Sequence, residues 1–525
     1  MSLVIKPRSL GRHVAVLAAA SALILLALLA IAGRAHAAET LYWDNFLANP
    51  DSISFANIDG NGGGALNLGA IELENPEGMA LDPATNRLFV ANAGKNQVDF
   101  INLDGSGAGV FSAPGAPVAE PEGIAVDPVA RTIYWSNAET QTIAWARLDG
   151  SAGGVLNTTG ATIESISRIA VDPAGGRVYW GSNPNTIGAP STIGYANVNN
   201  TGGGELNIAG ATPPDLISGL SVDPSGGRLY WVDASLEIVS FASLSGAGGG
   251  DVDTTGAAIN GPWGLALDPA LGKLYWGNES NGKERTNAIG VGLLAGGGGG
   301  ITLATAPVNG PQDPLVLKSP TGTAAPQLTR SAKVPSELSC TTGSWAADYA
   351  GSFIYQAPHT FGYQWTNNGA AITGATAKTL RATATGSYAC VVTAANQSGS
   401  AAQTSAAVAV SASNLKLSVK KKAKVKPGRV ATFKVQALNQ GEVEATGAKV
   451  CTTVPKKAKK FLKVPKCKAL TPVAAGGTAT ATLKIKVKRK AHRATYKVTF
   501  RVTGSGGQAA KAKVLVTKPK AKKKK

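Results

Sequence analysis

Carboxylates, and not histidines or thiols, are the reactive groups that residues 38–320 of this 525-residue chain have to offer. The four histidines are His13, His36, His359 and His492, and the four cysteines are Cys340, Cys390, Cys451 and Cys467. Residues 38–320 contain neither type, which removes imidazole acid–base catalysis and the commonest transition-metal ligands from that stretch. The same stretch holds 28 Asp and Glu against 11 Lys and Arg. Six positions in it differ from one another although the sequences around them are alike: Glu77, Glu122, Ser167, Ser218, Trp263 and Gln312. Two neighbouring glutamates suit a cation or a basic side chain, and an indole across from them offers a flat apolar platform. The six positions also read simply as a solvated rim. No catalytic set of residues and no metal-ligand spacing is recognisable. Calcium, which needs only oxygen ligands, is the one cofactor the composition leaves open.

These six residues are placed in register by an internal repeat. An apolar strand ending in Asp-Pro recurs at Asp82-Pro83, Asp127-Pro128, Asp172-Pro173, Asp223-Pro224 and Asp268-Pro269, spaced 45, 45, 51 and 45 residues apart. Aspartate followed by proline favours a β-turn, so these acids are read as turn residues and not as ligands. A few residues after each comes an aromatic strand, such as Ile133-Tyr134-Trp135 or Leu229-Tyr230-Trp231. A third strand alternates with period two, as in Thr142 to Leu148, and a Gly-rich turn such as Asp149-Gly150 leads to a short fourth. Four strands in about 40–50 residues make one blade of a β-propeller. The six variable positions each stand just before an inner strand, where one face of the ring would gather them. The extra residues of the 51-residue interval fall near Asn183 to Pro190, in a loop of the same face, which suits recognition and tolerated surface variation equally.

The run Gly123-Ile124-Ala125-Val126-Asp127-Pro128, then Ile133-Tyr134-Trp135-Ser136-Asn137, then Arg147-Leu148-Asp149-Gly150-Ser151 resembles the YWTD repeats of low-density-lipoprotein-receptor-type propellers. The resemblance covers about 42–318 and implies six blades and a role in binding. It departs at the third and fourth places of the motif, where Asp44-Asn45, Ser136-Asn137, Gly181-Ser182, Val232-Asp233 and Gly277-Asn278 replace Thr-Asp. The first copy, Leu41-Tyr42-Trp43, lacks an inner strand of its own, and Pro311 to Leu317 aligns with the inner strands of the others. Strands from both ends are therefore expected to close the ring and leave no open edge.

The remainder reads as two β-sandwiches, so the fold class is all-β: a six-bladed propeller (38–320), an immunoglobulin-like domain (321–411) and a Lys-rich sandwich (412–518). Cys340 and Cys390 flank Trp365, and Tyr388 stands two residues before the second cysteine, which resembles the immunoglobulin pattern and implies a Cys340–Cys390 bridge packed on the indole. An even cysteine count in an exported chain suggests two disulfides, the second Cys451–Cys467, and no CxxC or Cys-His cluster favours a metal site instead. In the last domain Leu483, Ile485 and Val487 alternate with Lys484, Lys486 and Lys488, burying one side and exposing a lysine ladder. Pro427-Gly428, Ala431 to Val435 and Asn439-Gln440-Gly441 resemble bacterial surface sandwiches of the conserved-repeat and cell-adhesion types.

Residues 1–37 look like an export signal: Lys6, Arg8 and Arg12, an apolar run from Val14 to Ala32, then Ala35-His36-Ala37 before the cut. The apolar run is long enough that a retained anchor is the alternative; no transmembrane span is expected once the leader is cleaved. The mature chain is expected outside the cytoplasm, secreted or on the cell surface. Its charge is asymmetric. Residues 411–525 hold 32 Lys and Arg against two acids, the opposite of the acidic propeller. The tail, 519–525, has no core residues and is expected to stay unstructured. The basic domain suits anionic envelope polymers, but its aromatics follow strand periodicity, so specific nucleic-acid recognition is not indicated. The functional expectation is a non-catalytic recognition or adhesion protein, its propeller binding a protein or glycan partner. The alternative is a calcium-dependent, lactonase-like propeller hydrolase.

Overall fold

The computed structural model describes residues 39–59, 62–185, 189–279, 288–302, 306–331 and 337–517. The expected export signal, the basic tail and the centre of the Asn183–Pro190 insertion lie outside them. The chain is all-β and divides into two compact units.

The first unit is the six-bladed propeller. The inner strands of blades 2 to 6 are Pro76–Asp82, Pro121–Asp127, Ile166–Asp172, Ile217–Asp223 and Pro262–Asp268. Each heads a four-stranded antiparallel sheet whose strands follow one another in sequence. Blade 1 is built from both ends of the unit: Pro311–Leu317 pairs with Thr40–Asn45, from Thr40 opposite Leu317 to Asn45 opposite Pro311. The ring therefore closes as the repeat pattern requires.

The aromatic repeat packs one blade on the next. Trp43, Trp135, Trp180, Trp231 and Trp276 are fully buried. Trp135, for example, lies in one cluster with Ile124 of its own sheet and Ala80, Phe89 and Val98 of the preceding one. At about 25 cal/mol per Å², burying an aromatic ring of about 200 Å² contributes about 5 kcal/mol, so these rings dominate blade cohesion. The fourth motif place is a lock. Asn92, Asn137, Asp233 and Asn278 each accept an amide N–H from the loop entering the blade, at Glu74 (2.8 Å), Ala119 (2.9 Å), Asp215 (2.7 Å) and Asn260 (3.0 Å). Ser182 takes the Glu164 amide at 3.0 Å and Asn45 the Asn309 amide at 3.1 Å. Asn, Asp and Ser all present an acceptor at that point, which is why departure from the Thr-Asp motif leaves the fold intact. The Asp-Pro acids are turn residues: Asp127 Oδ1 accepts the amides of Val129 (2.9 Å) and Ala130 (2.8 Å), Asp172 and Asp268 do the same, and Asp223 Oδ1 accepts the Gly226 amide and the Ser225 hydroxyl.

One element of this unit comes from far along the chain. Residues 345–360, which the sequence places inside the 321–411 domain, pack with the propeller. Three successive carbonyls of that segment are taken by three successive inner strands: Val222 N–H donates to Gly351 (2.8 Å), Leu267 N–H to Ser352 (3.0 Å) and Val316 N–H to Phe353 (3.0 Å). The Tyr355 hydroxyl accepts the Leu81 amide at 3.2 Å, and Ile354–Tyr355 adds a parallel strand beside Pro311–Leu317. Inner strands otherwise leave these amides facing an open channel, and a buried unpaired amide is costly. The segment is thus a plug for the end of the channel away from the variable positions.

In the second unit, Leu328–Arg330, Glu337–Cys340 and Thr379–Arg381 form one sheet, and Thr360–Asn367 and Gly386–Asn396 build another. The Cys340–Cys390 disulfide ties them together beside the fully buried Trp365, whose indole N–H donates to Ala377 O at 2.8 Å. Tyr388 reaches back to Ala384 O at 2.9 Å. The following sandwich has two five-stranded sheets over a core that includes Phe433, Leu483, Ile485, Phe500 and Val514. Cys451–Cys467 closes the hairpin formed by Lys449–Thr453 and Lys468–Ala469. Among the described residues no helix is long and apolar enough to cross a membrane.

Candidate functional site

The third residue of each inner strand faces the ring axis. Reading around the ring from blade 2, that column is Gly78, Gly123, Arg168, Gly219, Gly264 and Asp313. Crowding explains the glycines. A Cβ on Gly123 would stand 2.5 Å from Ser167 O, and one on Gly264, whose φ is +65°, would stand 2.4 Å from Asp313 Cα. Only blades 4 and 1, on opposite sides of the ring, put side chains there, and these two meet.

Arg168 is 4% exposed and reaches across the axis. Its Nε donates to Asp313 Oδ1 at 3.0 Å, both terminal nitrogens lie 3.2 Å from Glu77 Oε2, and one of them donates to Gln312 Oε1 at 3.0 Å. The guanidinium carbon lies 5.3 Å from the Trp263 ring. Blades 1, 2, 4 and 6 are thereby clasped by one side chain. Beneath the clasp is a cavity of about 20 Å³ lined by apolar residues that include Ile124, Leu220 and Phe353 of the plug, so the axis is closed below.

Carboxyl groups outnumber cations at this mouth. Burial pushes Glu122 up to about 7, against the pull of Arg168 and with repulsion from Glu77, Glu120 and Asp313 added. Burial likewise raises Asp313 to about 6, although Arg168 opposes it. Asp44 is fully buried, and neither of its carboxylate oxygens has a well-formed hydrogen bond. Burial holds its carboxyl well above the usual range, Asp313 and Glu77 add to that, and Arg168 and the Gln312 amide oppose it. Glu279 is also raised, by burial and then by Glu77. Arg168 itself stays charged, because the surrounding carboxylates outweigh the cost of its burial.

The six residues expected from the sequence divide into two groups. Glu77, Glu122, Trp263 and Gln312 converge on Arg168. Ser167 and Ser218 do not: the Ser167 hydroxyl donates to Ile217 O (3.0 Å) and that of Ser218 to Pro262 O (2.6 Å), tying successive inner strands together. The basic group expected to sit against the glutamates is supplied from within the chain for Glu77, by the Arg168 guanidinium. Among the described residues no three His, Cys, Asp or Glu side chains are grouped to hold a metal. Arg168, Asp313, Asp44 and Glu279 were not singled out from the sequence. The signal for the first two was present one column further in, where a repeated glycine gives way twice. The expected disulfide residues are paired as anticipated, Cys340 with Cys390 and Cys451 with Cys467.

No protein-family model matches this chain, and no curated protein matches it. Among solved structures, a chain of the nidogen/laminin complex is similar at a TM-score of 0.39 and 20% identity, over 49% of this chain and 89% of that one.

Proposed function

We propose that this chain is a secreted or cell-surface recognition protein without catalytic activity, whose propeller mouth takes a cationic group of a protein or glycan partner while the basic sandwich associates with anionic envelope polymers. The observation that supports this reading is the excess of carboxyl groups over cations at the mouth. One guanidinium faces Glu77, Glu122, Asp313, Asp44 and Glu279, beside the face of Trp263. A partner ammonium or guanidinium brought to Glu122 would supply the missing charge and stack on an aromatic wall. The plug covers one end of the axis, so a partner would meet the propeller at the other, where Arg168 and its carboxylates lie. There is no histidine in 38–320 to move a proton.

The test is titration calorimetry of the full chain with short lysine- and arginine-containing peptides, followed by capture of extracellular partners by the wild type and by Glu122→Gln. Binding that the variant loses, and that weakens steeply with salt, supports the reading. Equal binding by both proteins refutes it, as does turnover of an ester or lactone by the wild type that Glu122→Gln abolishes.

A further inference from the structure

Three strands of the C-terminal sandwich lie side by side: Lys422–Val425, Ala510–Val516 and Ala494–Thr503. Lys422 stands directly opposite Lys513, and Lys513 directly opposite Lys497. All three are exposed on the outer face. Cross-strand partners are about 5 Å apart, and like charges placed opposite one another destabilise a sheet. Two more lysines join the row. Lys511 is exposed on the same face of the middle strand, and Lys421 is held against that strand by the Lys513 amide, which donates to its carbonyl at 2.9 Å. Lys421, Lys422, Lys497, Lys511 and Lys513, with Thr499 and Pro455, line a recess of about 450 Å³.

Nothing in this sandwich offsets that charge. Residues 411–525 contain only Glu442 and Glu444 as acids. Glu442 is already engaged with Arg330 and with the Ser411 amide and hydroxyl. Among the described residues none of the five lysines has a carboxylate partner. A surface under no such demand would intersperse signs or space its lysines; this one lines a concavity with them.

We propose that this recess seats a phosphate-bearing polyanion. The inference rests on the envelope-association reading above and names its site and ligand class. Five ammonium groups and no guanidinium fork make a pocket that selects charge density over the planar geometry of a carboxylate. A polymer with one carboxylate per sugar brings a ring of neutral bulk for every charge, whereas a chain of phosphates brings charge with little else. Binding releases counterions, so it falls steeply with salt.

The full chain is titrated with three fluorescent probes, inorganic polyphosphate, poly(glycerol phosphate) and a polyuronate, between low and physiological salt. Two double variants are compared: Lys497→Ala with Lys513→Ala in the recess, and Lys434→Ala with Lys484→Ala on the exposed face of the other sheet. The recess pair is expected to weaken phosphate-polymer binding by about tenfold and to reduce the salt slope by about 1 to 2, while the control pair changes affinity by no more than about twofold. The recess pair should also unfold at a higher temperature, since a like-charge row has been relieved, and this separates lost binding from lost structure. The two phosphate probes distinguish an inorganic chain from a teichoic-type one. If both variants weaken binding equally, the recess is not a site, although the envelope reading survives. If the polyuronate binds as tightly as the phosphates, the ligand class is wrong. If no probe binds the wild type, both the recess and the envelope reading fall.

Discussion

Glu122→Gln should remove a substantial part of the pH dependence of propeller stability, and in the direction opposite to that of an ordinary surface carboxylate. In the folded protein Glu122 is raised from 4.5 to about 7, first by burial. A carboxyl whose folded value lies above its unfolded one carries no penalty while both states are protonated. The penalty grows as pH rises from about 4.5 to about 7 and is complete above that. At 1.36 kcal/mol per pH unit the loss between pH 4.5 and 8 amounts to about 3 kcal/mol for this group, with Asp313 adding to it. The groups facing Glu122 are Arg168, Glu77, Glu120 and Asp313, and only the first favours its charge. A glutamine has the same shape and no charge to desolvate. The assay is urea or thermal unfolding followed by tryptophan fluorescence, since seven of the nine tryptophans are in the propeller. The wild type should be less stable at pH 8 than at pH 5, and the variant should be the more stable of the two at pH 8 and nearly equal to the wild type at pH 5. A variant that keeps the wild-type pH slope, or that is destabilised at pH 8, would refute the assignment of burial as the dominant cause.

Two further outcomes follow from the same geometry. Arg168→Met removes the only cation among Glu77, Asp313 and Asp44, and breaking a buried ion pair from one side costs about 3–5 kcal/mol; urea midpoints should show the loss at pH 8 and a smaller one at pH 5, where Asp313 takes up a proton, and a loss that grows in acid would contradict the clasp. Gly351 has φ +83°, and a Cβ there would stand 2.2 Å from Val171 O, so Gly351→Ala should dislodge the plug at a cost of about 1–3 kcal/mol. Hydrogen exchange at the Val222, Leu267 and Val316 amides reads this directly, and unchanged protection would show that the plug is not what covers them.

The plug and the clasp close the propeller axis in physically different ways. Residues 349–355 close one end with main-chain hydrogen bonds, and Arg168 with its carboxylates closes the other with charge. A main-chain seal is insensitive to pH, whereas the clasp includes Asp313, raised to about 6, and has Glu122, raised to about 7, beside it. The mouth is therefore the end of the molecule that a change of pH or an incoming cation can alter. A propeller cut at residue 320 would lack the plug.

What could be read from the chain and what could not divide along a physical line. Blade number, closure by Pro311–Leu317, the turn role of the Asp-Pro acids and both disulfides were legible, because each depends on packing or hydrogen bonding that repeats locally or follows a known spacing. Glu77, Glu122, Trp263 and Gln312 were legible as variation against a constant background. Ser167 and Ser218 belonged to the same column, but their hydroxyls are short enough to turn back to a neighbouring strand, and only the register between blades reveals that. Arg168 meets Glu77 and Asp313 across 91 and 145 residues of chain, and Tyr355 meets Leu81 across 274. No local pattern encodes these meetings. They exist because a closed ring brings opposite blades to a common axis, and because the low dielectric there turns a handful of unremarkable side chains into one strongly coupled group.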